Sequence, residues 1–61
     1  LPISEGIVGG LQSALRDGVE VVPDPKRPNF YVVYSDGVRF YIDVLNSANR
    51  VILLGAWHSA N

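Results

Sequence analysis

The chain has 61 residues, 48% of them hydrophobic, with five basic and six acidic side chains and a net charge of −1. That length holds one domain, residues 1–61, and buries only about 60% of the unfolded surface, so stability must come from a well-packed core or a partner. With no cysteine and a single His there is no disulfide, thiolate zinc site or His-based metal cluster to help, no cofactor is expected, and a near-neutral charge supplies no positive field to draw in nucleic acid.

The opening stretch, "LPISEGIVGGLQSALRDG", reads as a short helix. Ser4 suits the N-cap, because its hydroxyl can accept a bond from a free first-turn N–H. Ile3 and Val8 then occupy the positions of a hydrophobic staple. Ile7, Val8, Leu11, Ala14 and Leu15 recur at helical spacing and form one apolar stripe, and Gly18 is placed to end the helix. Gly9 and Gly10 each cost about 1 kcal/mol relative to Ala in a helix interior. Close packing of the helix on a sheet is the expected reason for them. A phosphate-cradling loop is not expected, since no strand precedes "EGIVGG" and no Gly-Lys-Ser/Thr follows it.

"VEVVPDPKRPNF" holds a short strand followed by a loop. Pro23, Pro25 and Pro28 forbid a central strand, and Lys26 and Arg27 read as a solvated charge pair on a stiff loop. "FYVVYSDGVRFYIDVLNSANRVILLGAW" then gives three β-rich runs, with Asp36-Gly37 as a strong hairpin signal and Asn46–Asn49 as a second hairpin loop. The predicted fold is α+β: one N-terminal helix packed on a three- to four-stranded antiparallel β-meander.

Alternation along the middle strand puts Val38, Phe40, Ile42 and Val44 on the core face, and Arg39, Tyr41 and Asp43 on the other. Pairing Val44 with Val51 across the second loop adds Val51, Leu53, Gly55 and Trp57 to the core. Ile52, Leu54, Ala56 and His58 then join Arg39, Tyr41 and Asp43. That second face is too apolar for plain solvent and too polar for a core, and such a surface usually binds something. As a catalytic surface its groups would be His58 as proton carrier, Arg39 as phosphate holder and Tyr41 as stacking partner. As a protein contact its apolar part would be Ile52 and Leu54 beside Asp43, with Tyr and Arg as anchors.

The pattern "YVVYSDGVRFYIDVL" followed by "RVILLGAWH" resembles the RelE/ParE family of bacterial toxins. "VILLGAWHS" (Val51 to Ser59) looks like that family's final apolar strand, and "YVVYSDG" (Tyr31 to Gly37) like an earlier strand and turn. The resemblance covers the last half of the chain. It implies mRNA cleavage on the ribosome or poisoning of DNA gyrase, with an antitoxin as partner, and of the three candidate catalytic residues it carries only His58. The chain departs from the family in length, in having one helix for a helical hairpin, and in charge. Without cations on the sheet face, the charge that develops on a cleaved phosphate is poorly stabilised. The expected role is therefore a small toxin-like or interaction domain acting through a protein partner or self-association. The alternative is a metal-independent ribonuclease using His58, Tyr41 and Arg39.

No apolar run approaches the roughly 18 residues of a membrane span, and the apolar start lacks the basic stretch of a secretory signal. The absence of cysteine fits a cytoplasmic location. With no Met, residue 1 is expected not to be a native start.

Overall fold

The computed structural model describes residues 1–44 and 50–59. Helix α1 spans Glu5–Asp17 and is followed by β1 (Val21–Pro23), β2 (Phe30–Ser35), β3 (Val38–Asp43) and β4 (Ile52–His58). The strands form one open antiparallel sheet in the order β1-β2-β3-β4. Among the described residues no helix is long and apolar enough to cross a membrane.

The helix begins and ends where its sequence dictates. The Ile7 N–H donates to Ser4 Oγ at 3.3 Å, and Gly18 turns left-handed at φ 77°, its N–H donating to the Ala14 carbonyl. The staple pair is only partly covered, with Ile3 52% and Val8 37% exposed. The stripe buries Leu11 and Ala14 against Val33, Phe40, Ile42 and Ala56, with Ile7 and Leu15 packed at the margin. Of the two mid-helix glycines only Gly10 meets the sheet: a Cβ there would sit 3.8 Å from Phe40 Cζ, an ordinary contact, while one on Gly9 would meet nothing. Close packing therefore does not demand either glycine.

Asp36 and Gly37 both have positive φ, 50° and 73°, the twist a two-residue type I′ hairpin needs between right-handed strands. Ser35 consequently faces Val38. β1 is short, lies at the edge and ends in Pro23, where a missing N–H harms no central ladder. On the opposite edge, the backbone nitrogen of Leu1 donates to the Ala56 carbonyl at 2.7 Å.

The β3–β4 pairing begins as the Val44–Val51 register requires, with Asp43 opposite Ile52 and Ile42 opposite Leu53. It then shifts: Tyr41 faces Gly55, Phe40 faces Ala56, Arg39 faces Trp57 and Val38 faces His58. Leu54 is the extra residue of a β-bulge, and one extra residue exchanges the faces of everything beyond it. This corrects the strict alternation. Ala56, 2% exposed, belongs to the core, and His58 follows it onto the helix side. Gly55 and Trp57 lie on the open side, Trp57 45% exposed. Leu53 packs on the core as expected, but Val51 remains 41% exposed. The proposed loop Asn46–Asn49 lies outside the described residues.

Replacing Gly37 by Ala should cost about 1–2 kcal/mol, the penalty for a side chain in the left-handed region. Urea denaturation should show a lowered midpoint with an unchanged slope.

Candidate functional site

One helix can cover one face of a four-stranded sheet, and α1 covers the face of Val33 and Phe40. Directly paired residues share a face, so the register defines what the other face presents. Tyr34, Arg39 and Trp57 form one row across β2, β3 and β4; Val22, Val32, Tyr41 and Gly55 form the next; Phe30, Asp43 and Ile52 form the third. Tyr34 is 37%, Val22 38% and Ile52 50% exposed.

Two aromatic–cation groups are built on this floor. Arg27, on the proline loop, lays its guanidinium 3.9 Å above the Phe30 ring and 5.9 Å from the Tyr41 ring. Phe30 and Tyr41 are themselves stacked, with centroids 5.6 Å apart and planes inclined by 29°. The second group is Arg39, 5.5 Å from the centre of the Trp57 ring. Trp57 lies back across Gly55, so that a Cβ at Gly55 would run into Trp57 Cη2. The glycine lets the indole lie flat against the strand, with backbone beneath it.

The loop of Asp24 to Asn29 is tied onto this face. The Tyr41 hydroxyl donates to Asp24 Oδ2 at 2.6 Å, and the Lys26 N–H donates to Asp24 Oδ1 at 2.9 Å. The Asp24 N–H donates to the Phe30 carbonyl, and Asn29, at φ 70°, receives the Val44 N–H on its carbonyl. The hydrogen bond from Tyr41, with help from the Lys26 N–H, holds the Asp24 carboxyl below its ordinary pKa. The same bond, and then desolvation, raises the Tyr41 phenol above its own.

The structure gathers some of the sequence candidates and separates others. Arg39, Tyr41, Asp43 and Ile52 share the open face, and Leu54 stands exposed at the bulge. His58 pairs with Val38 on the helix side of the sheet, so the register does not bring it to Arg39 and Tyr41. Trp57, Phe30, Tyr34, Arg27 and Asp24 are the members that sequence reasoning missed. An isolated Gly inside an apolar strand is a bulge signal, and reading Gly55 that way would have found Trp57. Nothing in the sequence points Arg27 or Asp24 at the sheet.

Among the described residues, no group of His, Cys, Asp and Glu is arranged to hold a metal ion. A separate cavity of about 460 Å³ opens between α1 and the start of β4, lined by Leu11, Leu15, Val51 and Leu53, with Gln12 and Arg50 as its polar members. No known protein family, curated protein or solved structure matches the chain.

Two outcomes follow. Gly55→Ala should push the indole off the strand while the fold persists, because the obstructing group is the far end of a side chain. Acrylamide quenching of Trp57 should rise and its emission should shift to the red. Tyr41→Phe should raise the Asp24 midpoint in an NMR titration. In the native chain the depressed Asp24 value adds stability above the ordinary carboxylate range, and this is lost as pH falls through the folded midpoint. The raised Tyr41 value adds stability at neutral pH, and this is lost as pH rises through its folded midpoint. In Tyr41→Phe the second contribution should vanish and the first should shrink, the Lys26 N–H bond to Asp24 remaining.

Proposed function

We propose that this chain is a small interaction domain, toxin-like in the sense of the RelE/ParE resemblance, that works by protein–protein contact through the open face of its sheet. The observation that carries this reading is Arg39 flanked by Tyr34 and Trp57, with the indole exposed and backed by Gly55. Trp, Tyr and Arg are the side chains that supply most of the binding energy at protein interfaces, being large, stiff and amphipathic. A ring already seated on its own backbone loses little freedom when a partner covers it. Under this reading the partner is an antitoxin-like or target protein, or a second copy of the chain.

The ribonuclease alternative needs His58, Tyr41 and Arg39 around one phosphate. The bulge puts His58 on the helix side, so no observation favours that chemistry.

The test is selection of binders from a random-peptide display library on the wild-type domain. Binders should lose about thirtyfold on Trp57→Ala, the effect of removing a central anchor worth about 2 kcal/mol, and should also weaken on Arg39→Ala. Binders indifferent to both substitutions would sink the reading. Light scattering across a concentration series assigns the partner: a dimer that Trp57→Ala dissociates means a second copy, and a monomer means a foreign protein.

A further inference from the structure

The open face is specific about charge as well as shape. Arg27 and Arg39 are each laid on an aromatic ring, and neither is in a salt bridge among the described residues, where the one ion pair is Arg16 with Asp17. A guanidinium stacked by its plane keeps its N–H edge for an acceptor, and that edge matches a carboxylate. The acids of the same face are already engaged. Asp24 accepts from Tyr41 and Lys26 and lies in the field of Arg27, which leaves Arg39 the less compensated of the two guanidinium groups, and Asp43 also has an interaction of its own. The remaining acidic side chains, Glu5, Asp17, Glu20 and Asp36, belong to the helix, the helix–strand connection and the hairpin turn. Arg27 stands over Phe30 of β2 and Arg39 beside the Trp57 ring of β4, two strands apart and in different rows of the ladder. Between and beside them the floor is mostly apolar, made of Val22, Val32, Ile52 and the indole, with Asp43 in the row between Phe30 and Ile52.

Building on the protein-contact reading, we propose that the occupant of this face is an acidic segment of a partner protein, bound in extended form, with carboxylates on Arg27 and Arg39 and aliphatic side chains on the floor between. A single-stranded nucleic acid fits less well. Phe30 and Tyr41 already stack on each other under Arg27, which removes them as platforms for bases. Exposed Val22 and Ile52 give a phosphate chain nothing to bind.

The experiment uses Trp57, the one tryptophan in the chain, as its reporter. The probe is an acetylated peptide about eight residues long with Glu and Leu taking turns at every second position and Ser between them, so that an extended chain presents Glu and Leu on one face, and at about 3.3 Å per residue it can cross four strands spaced about 4.8 Å apart. It is compared with the same peptide carrying Gln for Glu and with an oligouridylate of equal length. The Glu peptide should bind at least about tenfold tighter than the Gln peptide, the effect of one charge-assisted hydrogen bond. That advantage should shrink with salt and disappear in the Arg27→Gln, Arg39→Gln double variant. Arg39→Lys should keep part of it, because the charge survives and the planar stack does not. Equal binding of the Glu and Gln peptides, or no binding of the Glu peptide, overturns the proposal. Tighter binding of oligouridylate overturns it in favour of nucleic acid. Selected peptides that need Trp57 but show no acidic bias would defeat this proposal alone and leave the protein-contact reading standing.

Discussion

The bulge at Leu54 is the constraint on which the rest of the molecule depends. A regular β3–β4 ladder would bury Trp57 beneath the helix and expose Ala56. One extra residue reverses both, and each reversal suits its surroundings. Ala56 faces Phe40, whose ring already fills the space against α1, and a small side chain fits there where an indole would overpack. Trp57 goes to the side with no layer above it and lies on Gly55. The aromatic compensates for the missing side chain by covering the strand itself. The shift also divides the polar candidates, leaving Arg39 and Tyr41 on one side of the sheet and His58 on the other.

The second constraint is scarcity. A chain of this size has one helix to spend on a four-stranded sheet, so the core is thin. Leu11, Ala14, Val33, Phe40, Ile42 and Ala56 make up its fully buried part among the described residues. A sheet with one covered face normally alternates apolar inward and polar outward. This one places Val22, Val32, Phe30, Tyr34, Tyr41, Ile52 and Trp57 outward. The departure from the usual pattern is the main physical reason to read that face as a contact surface rather than a solvated one.

The proline loop acts as a substitute for part of the missing second layer. Its prolines hold it stiff, so little entropy is lost when it folds onto the sheet. The Asp24–Tyr41 hydrogen bond and the Arg27 stack on Phe30 fasten it at one side. The result is a face half-lidded beside β2 and open toward β4, and the open part holds the exposed side chains of Ile52, Leu54 and Trp57.

Much of this was legible in the residues alone. Ser4 and Gly18 bound the helix because capping is local chemistry. Asp36-Gly37 defined its hairpin because few residue pairs accept positive φ twice. Alternation sorted β3 correctly, since nothing interrupts that strand, and so placed Arg39, Tyr41 and Asp43 together. It failed in β4 past Leu54, because whether a Gly is a bulge or an ordinary strand residue depends on what the neighbouring strand and helix leave room for. The lysine–arginine pair looked like solvated charge for a similar reason: the stack of Arg27 on Phe30 joins a loop to a ring that only the folded sheet presents. Local periodicity and turn chemistry determined the elements, their order and the existence of two unlike faces. The tertiary structure alone decided which face received the tryptophan, because that choice turns on packing volume between the helix and the sheet, to which no single stretch of sequence refers.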